Sequence, residues 1–373
     1  MKFLKGLSIL LGTVIGAGIF GIPYVIEKSG IIPGFFYFFV LGGAVLLIHL
    51  FFGEVILRTK ERLRLPGLSQ KYLGNWAKSL ATLSVVVGVT GALLAYLILG
   101  GEFLSILLGD SLSEAQLALI FGAALSYFIF RGIKIIASLE FLTNIVFFAV
   151  IIAILFFSLP KFDFLNISIL DAPNLFLPFG VILFSLIGWS AIPEIIDFLK
   201  SSQDKKEIKK IIIASTAIVI FFYLIFALIL VGVGGKNTSQ DALSGLAASL
   251  GPRIIFFGAL AGLITLADSF LVLGFYLKNT FVCDFKLPKN LAALIACGLP
   301  IALFLIGFRG FIAALGFTGT IMGVIEGVII ILIFKKAKTL GDRTPEYSLK
   351  VSPLLLYFLV AILIFGAFSQ LTK

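Results

Sequence analysis

The amino-acid sequence predicts an all-α protein that crosses a membrane many times, and three observations carry that prediction. Of its 373 residues 60% are hydrophobic and only 13% are charged, against about 45–50% and about 25% in a soluble domain. Apolar runs of roughly twenty residues, enough to span a hydrocarbon core about 30 Å thick, recur from end to end. None shows the segments of about ten alternating residues that mark a transmembrane β-barrel.

Taken in order, the hydrophobic pattern predicts eleven spans, at 6–27, 33–57, 78–107, 115–130, 136–159, 176–199, 210–233, 253–282, 290–307, 311–334 and 353–371. With the N-terminus inside, only Lys28, Lys161, Lys236, Arg253, Arg309 and Lys373 of the 29 Lys and Arg fall outside. That asymmetry is the positive-inside rule. The expectation is a multi-pass protein of the cell's inner (plasma) membrane, N-terminus cytoplasmic and C-terminus outside. The net charge of +10 belongs to those loops, so no nucleic acid is expected as a partner, and no obligate protein partner is evident. Lys2 and Lys5 precede an apolar run too long for a signal peptide, and no small-residue cleavage pattern follows it. The loops are too short to bury a core. One histidine, His49, and two cysteines, Cys283 and Cys297, offer no nucleophile–base pair, disulfide framework or metal cluster. Neither an enzyme nor a cofactor is expected.

Two spans are built to break. The first contains "GTVIGAGIFGIP", Gly12 to Pro23; glycine costs a helix interior about 1 kcal/mol and proline about 3. The sixth contains "LFSLIGWSAIPEI", with Ser185, Gly188, Ser190 and Pro193 at mid-span. Spans 1 and 6 open two successive sets of five. Interrupted spans at matching positions of two halves point to a transporter's binding site, because freed backbone groups are tolerated in a bilayer only where they line a cavity. A half-helix starting near Gly18 turns N–H groups around Gly16, Ala17, Gly18 and Ile19 toward an anion, while the carbonyls before it suit a cation. The competing reading is close helix packing at small residues.

These stretches carry a resemblance. "GTVIGAGIFGIPYVIEKSG" resembles the first helix of the amino acid/auxin permease family, notably its aromatic amino acid permease branch, within the amino acid–polyamine–organocation superfamily. "GWSAIPEI" is similar to that family's sixth-helix signature, where a histidine commonly stands at Trp189. "ADSFLVLGF", Ala267 to Phe275, resembles its eighth-helix pattern, with Asp268-Ser269 in place of the usual Ser-Ser. "GEVILRT" and "AYLILGGEFL" fit as well; the last three spans match only in number and hydrophobicity. The resemblance implies a leucine-transporter-like fold with a 5+5 inverted repeat: 1–160, then 161–335, with an eleventh helix in 336–373. It implies a secondary active amino acid transporter working by alternating access and cation-coupled symport; H⁺ is favoured over Na⁺ because an acid such as Asp268 in an apolar surround holds a proton more tightly. The alternative is an amino acid sensor that keeps the fold.

On that implication the substrate meets Gly16, Ala17, Gly18 and Ile19 in the first span, Tyr96 in a tilted third span, and Ser185, Gly188, Trp189 and Ser190 in the sixth. Trp189 stays open between a pocket wall and a core- or lipid-facing aromatic, and Tyr96 between a substrate contact and an interfacial aromatic. The coupling ion, H⁺ or the metal ion Na⁺, is expected at the carbonyls of Gly12 and Ile15 with Thr265, Asp268 and Ser269. Asp268 is the most informative of these, since an aspartate at mid-bilayer costs about 2.5–3.5 kcal/mol on insertion scales; a structural hydrogen bond is its plainer reading. Weaker candidates are Glu54, paired at i,i+4 with Arg58; Glu194 and Asp197 as inner-gate partners; Glu326 as a cavity or gate residue; and Glu140 near a helix end. His49 is read as packing rather than as a proton relay.

Overall fold

The structure, a computed structural model, describes residues 2–109, 111–132, 137–199, 201–283 and 285–371, without the side chains of 137–141, 202, 283 and 371; Glu140 and Cys283 thus lie outside the described side chains. Its helices are α1 (Lys2–Val14), α2 (Gly18–Ser29), α3 (Ile31–Arg58), α4 (Leu65–Leu73), α5 (Asn75–Leu108), α6 (Glu114–Arg131), α7 (Ala137–Ser158), α8 (Pro178–Leu186), α9 (Ala191–Phe198), α10 (Ser202–Lys205), α11 (Ile208–Gly234), α12 (Ala247–Leu250), α13 (Pro252–Cys283), α14 (Lys289–Leu305), α15 (Phe311–Leu340) and α16 (Pro353–Leu371). There is no strand among the described residues.

Nine helical segments among the described residues, α8 and α9 counted as one, are long and apolar enough to cross a membrane. α1 and α2 form a further, broken span bent by 55°, and α14 is an apolar helix of 17 residues. These cover the eleven apolar runs of the sequence. At 34 residues α5 is about 51 Å long, longer than the hydrocarbon core is thick, so it crosses obliquely or projects. It lies at the middle of the bundle, packed by α4, α6, α13 and α15. Phe39, Phe156, Phe221 and Phe365 stand exposed on the outer flanks of their helices, where lipid, not water, is the expected neighbour.

One end of the bundle gathers the charged loops. Lys2 pairs with Asp204 at 2.7 Å, Lys71 with Asp342 at 2.6 Å, and Arg64 with Glu194 at 2.6 Å. The Lys2 ammonium, with the Ser201 hydroxyl, holds Asp204 below the usual carboxylate range; Lys71, with the Lys60 backbone N–H, does the same for Asp342. Glu54, fully buried, accepts from Lys338 Nζ at 2.6 Å, Arg58 Nε at 2.8 Å and the Leu349 backbone N–H at 2.7 Å. It therefore clamps the linker before α16 onto the end of α3. The i,i+4 pair of Glu54 and Arg58 is present, but as one part of this larger clamp.

Candidate functional site

Between α1 and α2 the chain leaves the helix at Ile15, Gly16 and Ala17. The Val14 carbonyl accepts from the Gly16 N–H at 3.1 Å and from the Tyr223 hydroxyl of α11 at 3.0 Å. Each nearby glycine admits a different neighbour. A Cβ at Gly12 would overlap the Asn144 amide of α7; at Gly16 it would stand 3.0 Å from Tyr96 Oη and 3.5 Å from Ser269 Oγ; at Gly18 it would overlap the Ser185 hydroxyl and lie 2.9 Å from the Ser185 Cα. The glycines thus bring α7, α5, α13 and α8 onto the break.

The second break, Ile187 to Ser190, separates α8 from α9. Ile187 is extended, and Pro193 falls in the first turn of α9, where a missing N–H costs nothing. The Gly188 N–H donates to His49 Nε2 at 3.1 Å, and the His49 and Trp189 rings meet edge-on with centroids 6.0 Å apart. Trp189 Nε1–H donates to Glu326 Oε2 at 2.6 Å, and the Ser84 hydroxyl donates to Glu326 Oε1 at 3.2 Å. A Cβ on Gly188 would run into Val14 and lie 3.0 Å from Leu10 Cδ1. The two breaks pack directly on each other.

Beside them lies a central cavity of about 60 Å³, lined by Gly12, Gly16, Tyr96, Ser190, Asp268 and Ser269, with Phe184, Ile187, Val272, Leu273 and Met322 as an apolar and aromatic wall. That is room for about two waters and well below the ~300 Å³ at which ligand pockets begin, so a ligand enters only if the helices part. A second, smaller cavity of about 30 Å³ shares Ser190, Leu273 and Met322 with the first and reaches Trp189, Glu326, Tyr276 and Arg64. A third, of about 530 Å³, shares Arg64 and Pro193 with the second and ends among the exposed Lys60, Glu61 and Arg62. Arg64, bonded to Glu194 and 3.6 Å from Asp197, stands between them; Arg62 adds a 3.6 Å pair to Asp197. The route from the breaks to the charged end is narrow, and these ion pairs lie across it.

Of the residues singled out in the sequence, Gly12, Gly16, Tyr96, Ser190, Asp268 and Ser269 meet at the central cavity. Ala17, Ile19, Ile15 and Thr265 are buried beside it without lining it. Gly18 and Ser185 do not open on the cavity: they press α2 against α8, and the Ser185 hydroxyl donates to its own helix at Val181 O, 2.7 Å away. Gly188 is turned to His49 and Val14, and Trp189 walls the second cavity rather than the first. The Thr265 hydroxyl is buried with no hydrogen-bond partner among the described residues, one turn before Asp268 and Ser269 on α13, and such an oxygen fits a hard cation. Sequence reasoning missed Tyr223 as a donor to the first break and His49 as the acceptor at the second. The available signal was general: a polar side chain in an otherwise apolar span needs a partner.

The chain matches the model of the tryptophan/tyrosine permease family over residues 1–370. It is similar to two proteins of Haemophilus influenzae: tyrosine-specific transport system 1, 26% identical over 90% of this chain and 88% of the relative, and tyrosine-specific transport system 2, 30% identical over 83% and 82%. A permease match over residues 1–370 is in keeping with a transport protein and not an enzyme. Its helices, its two broken spans and this match together make the chain a member of the tryptophan/tyrosine permease family.

Proposed function

We propose that this amino acid permease carries an aromatic amino acid, tyrosine or tryptophan, by cation-coupled symport, H⁺ favoured over Na⁺. The observation that supports this most is the central cavity: two interrupted spans pressed together, with Tyr96, Phe184 and Met322 beside backbone freed from helix. The amino acid's carboxylate would take N–H groups of the Gly16–Ile19 turn, its ammonium the carbonyls and Ser190 of the second break, and its ring the apolar wall. Gly12, Ile15, Thr265, Asp268 and Ser269 would hold the coupling ion. The reading includes the leucine-transporter-like inverted repeat, 1–160 against 161–335 with an eleventh helix beyond, and superfamily kinship with other amino acid, polyamine and organocation carriers. It also places the charged end and the N-terminus in the cytoplasm. The halves then rock about the breaks, parting the Arg64 pairs to open the narrow route.

The test is uptake of labelled tyrosine and tryptophan into proteoliposomes under an imposed pH or Na⁺ gradient. Accumulation that collapses with the pH gradient supports the reading. Saturable binding without accumulation would favour a sensor, and accumulation driven by Na⁺ alone would reassign the ion.

A further inference from the structure

Glu326 is a carboxylate in the middle of α15, 2% exposed, and forms no ion pair among the described residues. Its hydrogen-bond donors are neutral: the Trp189 indole at 2.6 Å and the Ser84 hydroxyl at 3.2 Å. Leaving such a group ionised without a counter-charge inside a membrane protein is costly, and an apolar side chain would have filled the space without that cost. Its position is specific. Glu326 lies on the second cavity, between the central cavity and Arg64, and its partner Trp189 belongs to the second break itself. A proton gained or lost there changes the charge against the second break.

We infer that Glu326 is a proton-binding site on the route from the central cavity to the charged end, separate from the Asp268 site, and that Trp189 registers its protonation. This rests on the transport reading for its purpose but not for its test. In the protonated state the proton sits on Oε1 and is donated to Ser84 Oγ, which reverses its own hydrogen bond, while Oε2 still accepts from Trp189. On deprotonation the proton passes to water in the route, and both oxygens accept.

The groups that could imitate such a titration are few. α3 brings His49, edge-on to Trp189. Arg64, which caps α4, and Tyr276 of α13 line the same cavity, with Glu194 of α9 tied to Arg64. Elsewhere on the elements packed against α15, Glu54 and Arg58 are paired with each other, Lys71 with Asp342, and Tyr72 with Thr59. α2 carries Tyr24, Glu27 and Lys28 toward the opposite end, α3 carries Tyr37 and α5 carries Lys78, Tyr96 and Glu102 away from this cavity, α16 carries only the exposed Tyr357, and α8 has none.

The chain has two tryptophans, and Trp76 is exposed at the start of α5. Trp76→Phe therefore leaves Trp189 as the sole indole. In the purified full chain its emission should shift to longer wavelength as pH rises, in one titration, because an ionised acceptor stabilises the excited indole. Adding Glu326→Gln should abolish the titration; adding His49→Gln should leave it. If the glutamine variant does not fold, Glu326→Asp should keep a titration with a moved midpoint. Emission flat with pH in the parent, or a titration that survives Glu326→Gln or disappears with His49→Gln, would overturn the assignment. In proteoliposomes, Glu326→Gln should exchange tyrosine within about twofold of the parent while losing tenfold or more of the accumulation driven by a pH gradient. Unchanged driven accumulation would show that the proton on Glu326 takes no part in driven transport and would overturn that part of the inference. A parent that takes up no aromatic amino acid would instead sink the transport reading while the emission result stands.

Discussion

The two breaks solve one problem in different ways. At the first the chain turns by 55°, and the carbonyl it frees at Val14 has two donors, the Gly16 N–H and Tyr223. At the second, α8 and α9 still read as one membrane-length segment, and the Gly188 N–H has a side chain, His49, as its acceptor. A carbonyl with two lone pairs tolerates the loss of one donor. An amide with one proton does not tolerate the loss of its acceptor. The first break is therefore robust and set by glycines, whereas the second hangs on a single imidazole from α3.

The largest effect expected from this contrast is at Gly18. A leucine there would have to enter the Ser185 backbone, an overpacking whose cost we put at about 3 kcal/mol or more, so Gly18→Leu should fail to yield a monodisperse, cooperatively melting protein. A variant that melts like the parent would show that α2 and α8 are not in register at that point. Next is His49→Leu, which strands a buried N–H at an expected cost of about 1–3 kcal/mol; His49→Gln, able to accept at a similar reach, should recover most of the lost thermal stability. Tyr223→Phe should cost only about 0.5–1.5 kcal/mol, since Val14 keeps its other donor. If Tyr223→Phe proves worse than His49→Leu, the contrast is wrong.

Smaller changes probe the charged end. The Arg64 pairs are partly exposed and worth about 0–1 kcal/mol, so Arg64→Ala should hardly alter the melt. It should nonetheless raise, several-fold, thiol labelling of Ser190→Cys from that end in a protein whose Cys283 and Cys297 are serines. Unchanged labelling would mean that another contact closes the route. The smallest effect is at Asp342. Its depressed proton affinity gives stability that is present above the unfolded value near 3.9 and is lost only as pH falls through the lower folded value. Asp342→Asn should thus lower the melting temperature equally at pH 5 and pH 8; a deficit at one of them alone would contradict that sign.

Much of this was legible in the sequence because it is local. Gly12, Gly16, Gly188 and Pro193 mark the breaks through backbone cost alone, and apolar length marks the spans. Asp268 was visible as a charged group out of place and Tyr96 only through the family resemblance, and both reach the central cavity. Gly18 misled because a glycine that frees a backbone and one that seats a neighbouring helix look the same until the neighbour, Ser185, is known. The pairs Gly188–His49, Tyr223–Val14 and Trp189–Glu326 join residues 139, 209 and 137 positions apart. Helix register in three dimensions decides them, and periodicity carries no such information. The Glu54 clamp on the linker was half visible: Arg58 is a local i,i+4 partner, but Lys338 and Leu349 arrive from the other end of the chain.

The central claim is that the substrate binds where the first break faces Tyr96 and Ser269. Gly16→Ala tests it most directly, because the new methyl would sit 3.0 Å from Tyr96 Oη and 3.5 Å from Ser269 Oγ, a crowding that flexible hydroxyls can absorb while the cavity is lost. Ligand that binds only the folded protein raises its melting temperature by mass action, so the measurement is the thermal shift given by saturating tyrosine or tryptophan. The wild type should be stabilised in a saturable way, and Gly16→Ala should melt close to the ligand-free wild type with that shift abolished. A Gly16→Ala protein stabilised as strongly as the wild type would put the substrate somewhere else.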